Sequence, residues 1–426
     1  MIPPVPSIKR LVHQLETGGL DAVNAAWRLH NYATQTKSKT ARIQMINAGS
    51  IPHLVTMIGE HGEHAVASHE AAVRLLRRLS SVDSVTRLAI IDAGAVPHVV
   101  NLLQLREQMK AQMACVIVLK RIAAEPAGTI AIAHADGVHA LLSLLDEPST
   151  NENAKLKALT MSVITNITSH STNLTYDLKQ IIARALVDLL IDPDAEVHKV
   201  QFGAIQGLFN LAAYNGNTSL LADAGIVDLL SIILFRNEAE NVKMFAAMTL
   251  QYLVVNSGRD VNLIMQAGSY GVVDLLMAVL VGNIPEKIKV LAARTLDVLA
   301  ERYGGKEDAV KNLVALLEKH GDRDPYAAVA LVCQRLGHQG TNVSKFSMLQ
   351  WTIWYTVRST SLTHGDWYAK SPLGVIYRSY AKLLANYTFG PRRYARKLPF
   401  AYAPGGLTKR GRVQDNFDSA LRRRRV

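Results

Sequence analysis

One phrase recurs along the chain at a nearly fixed interval, and a chain written this way stacks copies of a small unit instead of closing around a single core. It first reads Ala48-Gly49-Ser50-Ile51-Pro52-His53-Leu54-Val55 and returns as Ala93-Gly94-Ala95-Val96-Pro97-His98-Val99-Val100. Looser copies run from Asp136 to Leu142, from Ala224 to Leu230, and from Ala267-Gly268 into Val272 to Leu276. Their glycines fall at 49, 94, 137, 225 and 268. The long interval between the third and fourth holds a glycine-less copy, Ala183 to Leu190. Terminal copies at Val5 to Leu15 and Ala309 to Leu317 bring the total to about eight, at a period within the 40–47-residue class of helical solenoids.

Each unit reads as three helices. A short one precedes the glycine (Thr40 to Asn47, Asp83 to Asp92). Glycine then reverses the chain without a Cβ penalty. Pro52 and Pro97 fall near the next helix start, where a missing N–H does no harm. A longer third helix follows, with small residues where neighbours approach closely. Ala25-Ala26-Trp27-Arg28-Leu29-His30-Asn31 and Phe245-Ala246-Ala247-Met248-Thr249-Leu250 are examples. No unit can bury its apolar face alone, so each packs on the next.

The glycine–proline phrase and the Ala25-to-Asn31 stretch resemble the armadillo repeat family over roughly residues 5–337. The resemblance implies an all-α, right-handed armadillo-type α-solenoid of about eight three-helix repeats over residues 1–338. An extension, 339–426, follows it. The resemblance also implies that the third helices line a concave face, where an asparagine in each repeat grips the backbone of an extended partner. That position falls on Asn31, Arg77, Arg121, Asn166, Asn210, Tyr252 and Val298. Importin-α-like nuclear import receptors repeat a tryptophan four residues earlier. Here those positions hold Trp27, Val73, Ile117, Ser162, Gln206, Met248 and Arg294, so the resemblance stops short of that subfamily. Repeats two and three place Arg74, Arg77, Arg78, Lys120 and Arg121 near the same stripe, which suits an acidic helix or an extended acidic peptide. A solvated face, or bridges to Glu63, Glu70 and Glu107, is the other reading of these cations.

Charge marks the boundary between array and extension. Residues 341–426 carry 16 Lys/Arg against 3 Asp/Glu, whereas the preceding 340 carry 31 against 32. The same terminal stretch holds 14 of the chain's 26 aromatic residues. A disordered basic tail accounts for Lys409 to Val426 but not for the aromatics before it, because disordered segments are aromatic-poor. Trp351, Trp354, Trp367, Tyr377 and Tyr380 are candidate anchors, and Arg392, Arg393, Tyr394, Arg396 and Lys397 interleave charge with rings. Such a segment fits burial against other subunits of a large assembly. It also fits an anionic membrane surface or ribosomal RNA, whose phosphates and bases take Arg and Tyr. The stripe Val375, Ile376, Tyr380, Leu383 and Leu384 predicts a helix from Pro372 through Tyr387.

Catalytic signatures are missing from the sequence. No phosphate-loop, dinucleotide, Gly-x-Ser-x-Gly or His-Glu-x-x-His stretch occurs. Gly304-Gly305-Lys306 is too short to cradle phosphate, and no cysteine completes a tetrahedral site with His61, His64 and His69. Cys115 and Cys333 both lie in apolar helical runs, so they read as buried thiols in a reducing compartment. No apolar run approaches the roughly 20 residues a membrane span requires. The sequence therefore predicts a non-catalytic intracellular scaffold without cofactor, metal or small-molecule substrate. Its partners are protein subunits of a larger complex (respiratory, ATP-synthase or ribosomal), and a mitochondrial location is favoured over a cytoplasmic or nuclear one. The alternatives are a free cytosolic or nuclear adaptor gripping an acidic peptide in its groove, or an RNA-contacting ribosome-associated protein.

Overall fold

The computed structural model describes residues 6–304, apart from 106–108, 148–149, 151–152, 192–197, 237, 259–263 and 265–271, together with four strands between 346 and 378. The chain divides into two compact units, Met1–Ala224 and Gly225–Val426.

The first unit is all-helical among its described residues. It opens with α1 (Pro6–Gln14) and α2 (Gly19–Thr36). Three complete triplets follow. They are α3 (Lys39–Asn47), α4 (Ser50–Ile58) and α5 (Ala65–Leu79), then α6 (Ser84–Asp92), α7 (Ala95–Leu103) and α8 (Met109–Ile122), then α9 (Pro126–His134), α10 (Gly137–Asp146) and α11 (Ala154–Ser169). The first helices start on local chemistry. Ser38 Oγ accepts from the Ala41 N–H at 3.3 Å, Asp83 Oδ1 accepts from the Thr86 N–H at 2.9 Å, and Pro126 opens α9.

Gly49 and Gly94 turn the chain at φ 86° and 75°, where a Cβ would be strained. In the third triplet the residue in the left-handed position is Asp136, at φ 57°, and not Gly137. Gly137 is instead the first residue of α10, because a Cβ there would meet Ile132 Cγ2 at 2.7 Å and Ile132 O at 2.9 Å. The glycine-less copy has no turn at all. Its first and second helices run together as α12 (Tyr176–Ile191), followed by α13 (His198–Ala212) and the short α14 (Thr218–Asp223).

The third helices line the core, and first and second helices add to it through residues such as Leu54, Ile90 and Leu141. Ala26 and Leu29 of α2, Ala72, Leu75 and Leu76 of α5, Cys115 and Leu119 of α8, Ile164 of α11, and Ala204 and Leu208 of α13 are all fully enclosed. Small residues permit the approach: a Cβ on Gly203 would lie 2.5 Å from Met161 Cγ, and one on Gly207 2.8 Å from Leu186 Cδ1. A side chain near the start of each third helix also closes off the helix before it. His69 Nε2 bonds the Glu60 carbonyl, Gln112 Nε2 donates to Leu103 O, and Lys157 Nζ donates to Leu145 O, each at 2.8 Å. These three occupy equivalent places in successive repeats; Gln112 and Lys157 satisfy carbonyls that a helix end leaves without partners, and His69 meets one just beyond the helix.

The second unit repeats the second-and-third-helix arrangement in α15 (Ile226–Phe235) with α16 (Glu240–Asn256), and in α17 (Val272–Val281) with α18 (Glu286–Gly304). Gly225, at φ 78°, turns the chain into α15. The expected terminal copy, Ala309 to Leu317, lies outside the described residues. The extension carries an antiparallel sheet of four strands in the order β1-β2-β3-β4. These are β1 (Phe346–Met348), β2 (Trp351–Val357), β3 (Gly365–Lys370) and β4 (Ile376–Arg378). The register sets Trp354 opposite Tyr368 and Tyr355 opposite Trp367. The helix expected over Pro372–Tyr387 is corrected here: Ile376–Arg378 pairs with β3, with Tyr368 opposite Arg378. A row of aromatic and β-branched residues favours a pleated ladder over a helix.

Candidate partner-binding face

The predicted stripe falls along the C-terminal halves of the third helices. Asn31 is exposed on α2, Arg74, Arg77 and Arg78 are half-buried on α5, and Lys120 and Arg121 are half-buried at the end of α8. Asn166 lies on α11, Asn210 on α13, and Tyr252, in the second unit, is exposed on α16.

Arg121, Asn166 and Asn210 among these positions form rungs of a hydrogen-bonded ladder. Arg121 donates to Arg77 O and to Ser80 Oγ (3.1 Å). Asn166 Nδ2 donates to Lys120 O at 2.9 Å, and Asn210 Nδ2 to Thr165 O at 3.0 Å and Thr168 Oγ1 at 3.2 Å. Four residues beyond Asn210, Tyr214 Oη donates to Ser169 O at 2.8 Å. In the second unit Arg302 reaches back to Val255 O and to Ser257 Oγ. Each rung feeds a donor into the carbonyls at the end of the preceding third helix, where the helix dipole is negative. Asn166 and Asn210, two of the asparagines expected to grip a partner, thus spend an N–H inside the array. Among the described residues no other bond engages the Asn166 amide, so its oxygen and second N–H remain.

Arginine is concentrated at the α2–α5–α8 end of this ladder. Arg74 stacks over the Trp27 ring, 5.1 Å from its centroid, and bridges Glu70 at 2.6 Å. Of the acidic partners foreseen for the stripe, Glu70 is the one found; Glu107 lies outside the described residues. Trp27 meets His30 edge to face, with centroids 5.7 Å apart. His30 is 7 % exposed, and burial, then the Arg78 charge, pushes its pKa down to about 4. Arg77 and Arg121 are both held below the usual arginine range, first by burial and then by neighbouring guanidinium ions. Two members were not foreseen. Arg42 of α3 donates to Ser81 Oγ at 3.0 Å, and Arg87 of α6 grips Glu125 at 2.6 and 2.8 Å. Their shared place in successive first helices, 45 residues apart, was the available signal.

The face is therefore cationic and desolvated, with its tryptophan already covered by an arginine of the same chain. Among the described residues no group of three His, Cys, Asp or Glu could hold a metal ion. In the extension, Trp351, Trp354, Trp367 and Tyr377 lie in the sheet, whereas Tyr380, Arg392, Arg393, Tyr394, Arg396 and Lys397 lie outside the described residues.

No family model and no curated protein matches the chain. Solved structures do. An engineered protein aligns over 78 % of this chain and 79 % of its own, with 25 % identity and a TM-score of 0.55. A designed armadillo repeat protein in complex with the peptide (KR)4 aligns over 58 % of this chain and 99 % of its own, with 22 % identity and a TM-score of 0.48. Armadillo repeat proteins computationally designed for modular peptide recognition give 57 % and 99 %, 22 % identity and 0.47. The repeats described above have the armadillo-type α-solenoid fold.

Proposed function

We propose that this chain is a non-catalytic scaffold that holds an extended acidic segment of a protein partner against α2, α5 and α8, while its basic, aromatic extension docks it into a larger assembly. The observation that carries the reading is the guanidinium group around Arg77 and Arg78, which outnumbers the carboxylates near it. Among the described residues, Glu70 and Glu125 are each bound to an arginine of their own, Arg74 and Arg87, and Glu60 accepts from Ser68 of α5. Cations so placed repel one another and gain most from a carboxylate-rich partner. A lysine-rich partner would find Trp27 already stacked and the surrounding charge repulsive.

The assembly is proposed to be organellar, with mitochondrion favoured, because a dedicated accessory subunit accounts for anchor-type aromatics beside a net charge of +13 over residues 341–426. Tagged full-length protein purified from its own cells at low and at high salt tests the whole reading. The expected result is a fixed set of organellar subunits surviving high salt. In the variant Arg77→Glu/Arg78→Glu, the partner on the array should be lost while the melting temperature stays within a few degrees. Arg121 is left intact because its bonds to Arg77 O and Ser80 belong to the ladder. An unchanged set of partners in that variant would count against the acidic-segment reading.

A further inference from the structure

We infer that the arginines gathered at the C-terminal end of α5 form a subsite for a phosphoryl group carried by the partner peptide, in preference to a carboxylate. The inference rests on the acidic-segment reading above and deepens it.

Two guanidinium ions converge there on adjacent residues. Arg121 reaches Ser80 Oγ at 3.1 Å, and Arg42 reaches Ser81 Oγ at 3.0 Å. Arg77 and Arg78 leave the same turn of α5, and both serine hydroxyls are donated back to the carbonyls of these two residues. Four cations thus surround one helix end. Helix capping explains two of them: where the α5 dipole is negative, Arg121 bonds to the last turn and Arg42 to Ser81 just beyond it. Arg77 and Arg78 are not explained this way. Neither makes a side-chain bond to another described residue, and the buried Nε of Arg78 and of Arg42 have no hydrogen-bond partner. On the α2 side, the buried Nδ1 of His30 is likewise without one.

A ligand that completes this group has to bring more negative charge and more acceptors than one side-chain carboxylate. A carboxylate offers a single charge on two oxygens. A phosphoserine offers about −1.5 to −2 charges and three strong acceptors, which arginine forks engage in pairs. The bound anion also offsets the mutual repulsion of the arginines, so the preference belongs to the cluster as a whole.

Fluorescence anisotropy on the full chain tests this. The probe is a labelled acidic decapeptide of Glu, Asp and Gly with serine, phosphoserine or glutamate at its centre. The phosphoserine peptide should bind about tenfold more tightly than the glutamate one. That advantage should vanish in Arg77→Gln and in Arg78→Gln, and fall part-way in Arg78→Lys, which keeps charge but not the fork. Melting curves confirm that each variant is folded. Equal affinity of the phosphoserine and glutamate peptides overturns the inference and leaves the acidic-segment reading standing. Failure of all three peptides to bind overturns both. If inorganic phosphate or free phosphoserine binds as tightly as the phosphopeptide, the site takes a free anion, and the inference is again overturned.

Discussion

His30 sits where two demands on α2 meet. It fills the space beside Trp27, and it faces Arg78, Arg77 and Arg74 of α5, so a proton on its ring would be both desolvated and repelled. A hydrogen bond to the Arg74 backbone opposes these effects without cancelling them, and the folded pKa stands near 4 against the usual 6.5. The unfolded chain then takes up a proton that the folded chain refuses. Stability contributed by neutral His30 is complete above pH 6.5 and drains away as pH falls towards 4, by on the order of 3 kcal/mol in all. Chemical denaturation at pH 7.5 and at pH 4.5 should show this loss in the natural chain and a smaller one in His30→Gln. Identical pH dependence in the two would remove His30 from the account. Little of this was legible in the sequence. Asn166 and Asn210 were found by their place in the repeat, but an amide that can grip a partner can equally bond its own scaffold. Their bonds to Lys120 O and Thr165 O depend on how successive third helices are staggered, which no single repeat encodes.

At the scale of the element, the sequence reading succeeded where a backbone angle demands one residue type. Gly49 and Gly94 at positive φ, with Pro52 and Pro97 in the first turn beyond, fixed the boundaries of α3, α4, α6 and α7. It missed by one residue at Asp136, because aspartate tolerates the left-handed region too, and a glycine needed for close packing stood next to it. The closure of second helices by third-helix side chains was invisible, since histidine, glutamine and lysine share no obvious chemistry as a pattern. What they share is a donor. Lys157 is 6 % exposed, and its ammonium donates to Leu145 O and Glu147 O, within and just beyond the last turn of α10. Lys157→Met keeps the apolar stem and removes the donor, which should cost about 1–3 kcal/mol. Lys157→Gln should recover much of that loss, because Gln112 performs the same task for α7 in the preceding repeat. Equal stability of Met and Gln variants in urea titrations would mean that the stem, not the donor, is what matters.

For the whole molecule, the composition boundary near residue 340 separates two kinds of chemistry. The first unit has a core among its own helices, with Leu29, Leu75, Leu119, Ile164 and Leu208 fully enclosed. The extension concentrates charge and rings in 86 residues, and its described part is a sheet of short strands rather than another repeat. A three-to-seven-residue strand buries too little to be stable alone, and four of them become useful when one face is covered. Under the docking proposal, that cover is a surface of the assembly. A chain ending after Gly340 should then keep its far-UV helical signal and its binding of an acidic peptide, yet no longer travel with the assembly on native purification. High salt separates anchoring from charge alone: a purely electrostatic attachment weakens steeply with ionic strength, whereas one that buries tryptophan and tyrosine does not. Retention of the truncated chain in the assembly would transfer the docking role to the repeats. Release of the full-length chain at moderate salt would instead assign the extension to a polyanion.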